Sequence, residues 1–319
     1  MVKELKGDEL MEIKQFKVIS TAQRKELYNF IKSTDLTYSK TYIEMIKKYE
    51  SDIFNDGNGI FVLFNNGKIK GSIAVITKEI SIKGEAYVTD IYIENENAEI
   101  TLGYSMERVV EYCNLFRTES IKIGIRESET HLIQYINKLE FSHIYDAVIM
   151  RYIIDKNTAL KGNKEMELLP LSILNSHEYV NIQNEAFKNS PNGCTVDEAE
   201  VKDYIIKYAN DDDLIGICFA QKKPCGIYEL SIDENIGWID TLGIQPIYQK
   251  KGLGSALISK CIEKLFDKNL DEIKLLVITS NEVAMNMYKE NGFEEEKIFS
   301  YWFEKKFRKN GDEVNTVKI

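Results

Sequence analysis

The pattern of apolar and polar positions along the chain occurs twice. In each half a short apolar strand precedes two helical segments, and a run of closely spaced β segments follows. The β run includes 59–64 and 71–76 in the first half, and 214–219 and 226–230 in the second. Each half then alternates strand, helix, strand, helix and a last strand. A repeat of this length predicts two domains of one fold rather than a solenoid.

The local signals predict an α+β architecture in each half. Asn66-Gly67 lies between two apolar runs, which predicts a tight hairpin. The run 195–198 has the form of a capping box and predicts a helix from Ala199 to Tyr208. A mixed, mostly antiparallel sheet flanked by helices accounts for this order of elements.

The domain boundaries are predicted from composition. The chain has 319 residues, which favours about two domains. A polar stretch without periodicity at 156–164 is expected to be the linker. We therefore expect domains at 1–155 and 165–309, with a tail at 310–319.

Charge and composition exclude several classes of protein. The net charge of -10 lacks the basic field of a nucleic-acid binder. Such a charge serves solubility, and it also agrees with a cationic or amine-bearing substrate. The N-terminus is too polar for a signal peptide, and no run of about 18 apolar residues predicts a membrane span. The five cysteines and three histidines are scattered, without the spacing of a zinc site. We expect a cytoplasmic protein that binds no metal.

A loop in the second half carries the most specific chemical signal. After Pro246 come a short polar segment and two glycines, Gly252 and Gly254, and an amphipathic helix begins at once. Glycines let the main chain approach a ligand, and the unpaired N–H groups of a starting helix favour an anion. Lys250 and Lys251 add positive charge. The loop therefore predicts a phosphate site.

Two known phosphate-binding motifs and a purely structural role compete as interpretations of this loop. The nucleotide P-loop requires Lys-Ser/Thr after its glycines, and this chain has none there. The dinucleotide fingerprint requires a third glycine where Leu257 stands, and a βαβ unit around it. The glycines alone could also serve close packing of a helix on a strand.

The whole run resembles motif A of the GNAT superfamily of N-acyltransferases. In that motif Val/Ile-x-Pro-x-x-Arg/Gln-x-x-Gly-x-Gly/Ala follows an apolar strand. Ile244, Pro246, Gln249, Gly252 and Gly254 fill its positions.

A second run, downstream, resembles motif B of the same superfamily, Asn-x-x-Ala-x-x-x-Tyr-x-x-x-Gly-Phe. Asn281, Ala284, Tyr288, Gly292 and Phe293 fill its positions in this chain. Asn281 is predicted to cap a helix, and Gly292 to end it. The two motifs in this order imply that the chain is a tandem of two GNAT-like acyl-CoA N-acyltransferase domains.

The resemblance implies acetyl-CoA as cosubstrate. It implies that the loop N–H groups hold the pyrophosphate, and that the main chain of a splayed strand meets the pantetheine arm. Gly243, between Leu242 and Ile244 in that strand, is expected to form a β-bulge. The residues expected to contact the cosubstrate are Leu242, Gly243, Ile244, Gln249, Lys250, Lys251, Gly252, Leu253, Gly254, Ser255, Asn281 and Tyr288.

The resemblance also implies a catalytic role for Tyr288, as the general acid toward the leaving thiolate. The alternative is a half-buried core tyrosine. For the general base, Asp240 and Glu229 are both candidates. Asp240 is expected to share one strand face with Trp238 and Leu242. A structural or substrate-binding role remains the alternative for each carboxylate.

The first half is predicted to be a degenerate copy. In the segment that corresponds to the glycine loop, only Gly103 remains, and the flanking charges are those of Glu94, Glu96 and Glu99. These carboxylates would repel a pyrophosphate. We expect the first domain to keep the fold and not to bind acetyl-CoA.

The expected function is transfer of an acetyl group to a primary amine by direct attack, at one site in the second half. The acceptor is a small molecule or a peptide. Two alternatives remain at this point: a non-catalytic acyl-CoA sensor, and a transferase of a larger acyl or aminoacyl group.

Overall fold

A computed structural model of the protein describes residues 2–4, 10–153, 166–188, 190–191, 193 and 195–307. The expected linker at 156–164 and the tail at 310–319 lie outside these ranges. The described residues form two compact units. The first unit contains those up to Tyr145 and those from Ser300 onward, and the second unit contains those from Asp146 to Phe299.

The strands are β1 (Val2–Glu4), β2 (Leu10–Gln15), β3 (Ile60–Asn65), β4 (Lys68–Ile76), β5 (Glu85–Ile93), β6 (Ser120–Arg126), β7 (Ser142–Ile153), β8 (Met166–Pro170), β9 (Ile215–Ala220), β10 (Lys223–Asp233), β11 (Ile236–Ile244), β12 (Glu272–Ile278) and β13 (Glu294–Lys306). The α-helices are α1 (Thr21–Thr34), α2 (Tyr42–Tyr49), α3 (Ile80–Lys83), α4 (Ala98–Asn114), α5 (Ile133–Lys138), α6 (Ser176–Phe187), α7 (Glu198–Lys207), α8 (Leu253–Phe266) and α9 (Glu282–Glu290).

The first unit is built on a mixed sheet. Strands β1 to β5 pair antiparallel in chain order, and β5 pairs parallel with β6. The stretch of β13 from Ser300 to Lys306 then pairs antiparallel with β6. The hairpin between β3 and β4 turns at Asn66 and Gly67, which both have positive φ, as the sequence predicts.

The second unit repeats this topology. Strands β8 to β11 pair antiparallel in chain order, and β11 pairs parallel with β12. The stretch of β7 from Ala147 to Ile153 pairs antiparallel with β12. The predicted α+β class, with a mostly antiparallel sheet flanked by helices, is confirmed.

The composition of the units differs from the predicted boundaries at the last strand of each half. Most of β7, which ends the first half, lies in the second unit, and the end of β13 lies in the first unit. The reason is physical: alternation of apolar positions specifies a strand but not the neighbour with which it pairs.

The amphipathic helix after the glycine loop covers the core of the second unit. Leu257, Cys261 and Leu265, at helical spacing on α8, are fully buried there. The preceding helix α7 starts one residue earlier than predicted. Asp197 caps it, and Glu200 completes the capping box. Within the ranges given above, no helix is long and apolar enough to cross a membrane.

Candidate functional site

A β-bulge in β11 shapes the candidate site. Glu229 of β10 lies opposite Thr241, whereas the next residue, Leu230, lies opposite Ile239. Asp240 is therefore the extra residue. The bulge turns Asp240 and Thr241 to the same face of the sheet as Glu229, the face that α6 and α7 cover.

This bulge corrects the expected face of Leu242. A regular strand would place Leu242 beside Trp238 and Asp240. Because one extra residue intervenes, Leu242 instead pairs with Tyr228 and packs with the core under α8. The expected bulge at Gly243 is also wrong, since Gly243 pairs regularly with Ile227.

Gly243 has a packing role. A Cβ atom on it would lie 2.9 Å from the Phe187 ring and 3.2 Å from the Ala186 Cβ. Such distances are shorter than van der Waals contact, so only a glycine allows α6 to approach β11 this closely. Helix α6 is thereby fixed over the bulged part of the strand.

The sheet opens next to the bulge. The parallel register of β11 with β12 covers Ile236 to Ile239 and ends there. Strand β12 continues to Ile278 against β7, while β11 continues to Ile244 against β10. The edge of β11 that carries the main chain of Leu242 and Ile244 therefore lines a gap between diverging strands.

The loop after β11 has the backbone of an anion site. Lys250 and Gly252 both adopt left-handed conformations, with φ of 59° and 77°. Turns of this kind direct successive N–H groups to one side. The first helical hydrogen bond of α8 runs from the Ala256 N–H to the Gly252 carbonyl at 3.1 Å. The N–H groups of Leu253, Gly254 and Ser255 thus have no partner inside the helix.

Two loop side chains are used by the loop itself. The Gln249 amide donates to the Ile244 carbonyl at 2.8 Å, and the Lys251 ammonium donates to the Ile247 carbonyl at 2.9 Å. The Lys251 ammonium also lies 5.6 Å from the centre of the Tyr248 ring. These contacts fix the loop, so its anion-binding groups are mainly the main-chain N–H groups, with Lys250 exposed nearby.

The two glycines of the loop serve different purposes. Gly252 needs its positive φ, and a Cβ there would meet nothing within 4 Å. At Gly254, a Cβ would lie 2.8 Å from the Met287 sulfur. Close packing of α8 on α9 therefore accounts for Gly254, whereas Gly252 shapes the loop and leaves open space beside it.

The residues of the second motif lie on α9. Asn281 caps this helix, since its side-chain oxygen accepts from the Ala284 N–H at 3.2 Å. Tyr288 is buried, with 9% of its surface exposed, and its ring lies 6.1 Å from that of Phe293. Burial, with a smaller effect of Cys261, raises the pKa of Tyr288 to about 12. The hydroxyl is thus protonated at neutral pH and can donate a hydrogen bond.

The two candidate bases have different environments. Glu229 accepts from the Tyr208 hydroxyl at 2.9 Å, from the Lys207 ammonium at 3.2 Å and from the Thr241 hydroxyl at 3.3 Å. Desolvation by surrounding protein atoms raises the pKa of Asp240, although the residue as a whole is exposed. The charge of Glu229 raises that pKa further, against the opposing effects of Ser231 and Lys207.

Sequence reasoning missed the residues that surround these carboxylates. Lys207 ends α7 and Tyr208 follows it, and Lys48 and Tyr49 stand at the end of α2 in the first unit. There the Lys48 ammonium lies 2.5 Å from the carboxylate of Asp90. The repeated Lys-Tyr pair before a strand carboxylate is a signal that comparison of the two halves could have found.

The corresponding region of the first unit is an acidic cleft. Helix α4 starts after Asn97, which has a left-handed φ of 60° as Gly252 does. The cleft has a volume of about 720 Å³. It is lined by Phe30, Ser33, Thr34, Ile93, Glu94, Asn95, Glu96, Ser128, Glu129 and His131. Glu94 pairs with Lys70, and Glu99 pairs with Lys138 at 2.8 Å.

Over the stretches of chain that the structure describes, no group of three or more His, Cys, Asp and Glu side chains is arranged to hold a metal ion.

Comparison with known families identifies the segment that carries this site. Residues 176–293 match the acetyltransferase (GNAT) family. The chain is 27% identical over 99 residues to an uncharacterised N-acetyltransferase of Methanocaldococcus jannaschii, which is 29% of this chain and 44% of that protein. It is 24% identical over 122 residues to mycothiol acetyltransferase of Clavibacter michiganensis, which is 38% of this chain and 40% of that protein. The chain thus spans under half the length of these two relatives.

Solved structures extend the likeness of fold to both units. A GCN5-related N-acetyltransferase from Sphaerobacter thermophilus has a TM-score of 0.68 at 14% identity, over 96% of this chain and 98% of that one. A tandem GNAT protein from the clavulanic acid biosynthesis pathway has a TM-score of 0.62 at 8% identity, over 92% of this chain and 98% of that one. At these identities the likeness shows the fold, and the predicted GNAT resemblance is confirmed.

Proposed function

We propose, since residues 176–293 match the acetyltransferase (GNAT) family, that the second unit transfers an acetyl group from acetyl-CoA to a primary amine. One observation carries the proposal: the gap between β11 and β12 leads directly into the loop of free N–H groups at the start of α8. A ligand that has both a pyrophosphate and an extended amide-bearing arm matches this continuous surface.

The residues present fit acetyl-CoA. The N–H groups from Lys250 to Ser255 would hold the pyrophosphate, and the open space beside Gly252 leaves room for it. The main chain of Leu242 and Ile244 would bond the pantetheine arm along the open edge of β11. When bound, acetyl-CoA supplies the acetyl group as an activated thioester. Asn281, as the cap of α9, positions the helix that carries Tyr288.

Asp240 is the better candidate for the base. The ammonium of the acceptor must lose a proton before its nitrogen forms a bond to the thioester carbon and the C–S bond breaks. A base is most effective when its pKa is near the working pH. Asp240 has a raised pKa, whereas Glu229 is already engaged by Lys207, Tyr208 and Thr241. Asp240 would accept the proton, and Glu229 would hold the ammonium.

Tyr288 acts as a positioned donor toward the departing sulfur. A thiol has an ordinary pKa of about 8.5, and that of Tyr288 is about 12. Complete transfer of the phenol proton to the thiolate is therefore uphill. A hydrogen bond that strengthens as charge develops on sulfur still lowers the barrier.

The proposal is tested by thiol release from acetyl-CoA with a panel of small amines and peptide N-termini, followed by mass measurement of the product. We expect turnover with at least one primary amine and a product heavier by one acetyl group. Binding of acetyl-CoA without turnover on any amine would instead favour a sensor. Turnover with a larger acyl-CoA but not acetyl-CoA would identify the third alternative.

The first unit is proposed to have no acetyl-CoA site. The segment in place of the glycine loop carries Glu94 and Glu96, Glu99 follows in the first turn of α4, and the cleft beside them adds Glu129. Lys70 and Lys138 offset part of the charge of Glu94 and Glu99. Carboxylates at contact distance repel a pyrophosphate. The unit would contribute its fold to the molecule rather than a second reaction centre.

A further inference from the structure

Two buried polar atoms of α6 have no hydrogen-bond partner in the described residues: the hydroxyl of Tyr179 and the side-chain oxygen of Gln183. Tyr179 is 0% exposed and Gln183 is 8% exposed. The two residues are four positions apart, and therefore lie on one face of the helix. A buried polar atom without a partner lowers stability, so such atoms call for an explanation.

The position of this face is fixed at both of its ends. At the C-terminal end of α6, Ala186 and Phe187 contact Gly243 of β11. Two turns earlier, Tyr179 lies within reach of the charge of Glu229, and α6 contacts both β10 and α7. Gln183 lies one helical turn from each of these two contacts, and therefore over the part of the sheet between Glu229 of β10 and Gly243 of β11. In this part of the sheet, β11 is bulged and separates from β12.

The chemistry of the two atoms defines what could pair with them. An amide oxygen only accepts hydrogen bonds, and a phenol hydroxyl both accepts and donates. The ammonium of an acceptor has its own partners in Asp240 and Glu229. A group that satisfies Gln183 must therefore carry a further N–H or O–H.

We infer that Gln183 and Tyr179 determine acceptor specificity, by accepting hydrogen bonds from a second donor group of the acceptor. The inference rests on the proposed function and specifies its substrate class: primary amines that also carry a hydroxyl, an amide N–H or a second amino group. A simple alkyl amine would leave both buried atoms unpaired and would be the poorer substrate.

The test compares two amines of equal length that differ by one hydroxyl group. The variants are Gln183→Leu and Tyr179→Phe. Tyr38→Phe is the matched control, because the Tyr38 hydroxyl of the first unit is also buried without a partner in the described chain. Asn181→Leu changes an exposed position of the same helix.

Wild-type protein should prefer the hydroxylated amine by about tenfold in kcat/KM, the ratio that one well-made hydrogen bond supplies. Gln183→Leu and Tyr179→Phe should each reduce this preference through the KM of the amine, with the KM of acetyl-CoA unchanged. Because each substitution removes an unpaired buried polar atom, the Tm should stay the same or rise. Both controls should keep the preference.

Two results would overturn the inference. One is a fall in Tm of Gln183→Leu with the preference retained, which would mean that buried water satisfies these atoms. The other is equal use of the two amines by wild-type protein. If no amine is acetylated at all, the proposed function fails. The inference on Gln183 and Tyr179 is then tested separately, by the thermal shift that each amine causes in the protein saturated with acetyl-CoA. A larger Tm shift with the hydroxylated amine, which is lost in Gln183→Leu, supports the inference. Equal Tm shifts with the two amines refute it.

Discussion

Tyr288 has two properties that favour different roles. It is buried among apolar groups, as a core tyrosine is, yet its hydroxyl makes no hydrogen bond to any residue that the structure describes. A purely structural tyrosine gains from its hydroxyl only when that hydroxyl is paired. The proposed role toward the sulfur of a thioester would give the hydroxyl such a partner.

Substitution of this residue separates the two roles. We expect Tyr288→Phe to lower kcat by about 10²- to 10⁴-fold, the contribution of a positioned proton donor. The stability of the Tyr288→Phe variant should be nearly unchanged, since no hydrogen bond within the protein is lost. Tyr152→Phe is the matched control, because the Tyr152 ring also packs on Phe293, at 5.5 Å. An unchanged kcat in Tyr288→Phe would assign the residue to the core.

The two carboxylates should respond differently to pH. If Asp240 is the base, the acidic limb of kcat for the wild type should lie above the ordinary range of an aspartate, because its pKa is raised. Asp240→Asn should lower kcat and remove that limb. Glu229→Gln should mainly raise the KM of the amine and leave the limb in place. A limb that disappears in Glu229→Gln and persists in Asp240→Asn would reverse the assignment.

Asp240 also predicts a pH dependence of stability. Its folded-state pKa is raised, so between the unfolded and folded values the folded protein binds more protons. The stability contributed by the neutral carboxyl is complete below the unfolded pKa and is lost as pH rises through the folded pKa. Asp240→Asn should therefore have a higher Tm than wild type at pH 7, with the difference shrinking in acid. A constant difference in thermal melts from pH 3 to pH 7 would contradict this.

At the scale of elements, the glycine loop combines two constraints two residues apart. Gly252 sets a left-handed turn, and Gly254 allows α8 to pack on Met287. A methionine side chain can move, so the second constraint is weak. The first is a property of the backbone, which neighbouring side chains cannot relieve.

The same substitution at the two positions tests this difference. Gly252→Ala should cost about 1–2 kcal/mol of unfolding free energy, because the left-handed region disfavours a Cβ. It should also weaken acetyl-CoA binding about tenfold, since the methyl enters the open space beside the loop. Gly254→Ala should cost at most about 1 kcal/mol and leave binding intact. Urea denaturation and calorimetry measure both effects, and equal losses in the two variants would refute the distinction.

The sequence predicted these elements better than it predicted their details. Periodicity and turn residues placed the strands, the hairpin at Gly67 and the helix after Gly254. The bulge at Asp240 was not predictable, because neither this residue type nor its neighbours indicate a bulge. The bulge was instead predicted at Gly243, since glycine is typical of bulges. Tyr179 and Gln183 were also not predicted. Both lie on the buried face of α6, and the sequence does not indicate that their polar atoms are buried without partners.

At the scale of the whole molecule, the two units keep one topology and differ in chemistry. Both carry a Lys-Tyr pair beside a strand carboxylate, although the carboxylates lie on strands that do not correspond. Lys48 contacts Asp90 of β5, and Lys207 contacts Glu229 of β10. Because this pair persists in the unit without a glycine loop, it is consistent with a role in folding as well as in binding. The glycine loop, proposed above to bind phosphate, is what distinguishes the second unit.

The number of acetyl-CoA molecules bound per chain follows from that distinction. We expect calorimetry to give one. Each carboxylate placed 4 Å from a phosphate charge costs about 1 kcal/mol in water and about 4 kcal/mol at an effective dielectric constant of 20. Counted back from the start of each helix, Glu94, Asn95 and Glu96 of the first unit stand where the second unit has Gln249, Lys250 and Lys251.

Charge reversal makes this expectation specific to one loop. Lys250→Glu combined with Lys251→Glu should abolish the heat of acetyl-CoA binding. The difference from wild type should be largest at low ionic strength, where charges are least screened. Glu94→Gln combined with Glu96→Gln is the matched control, and should leave both affinity and stoichiometry unchanged. Two molecules bound per wild-type chain would show that the first unit binds the cosubstrate. Binding that survives reversal of both lysines would move the site away from the start of α8, and with it the proposed reaction.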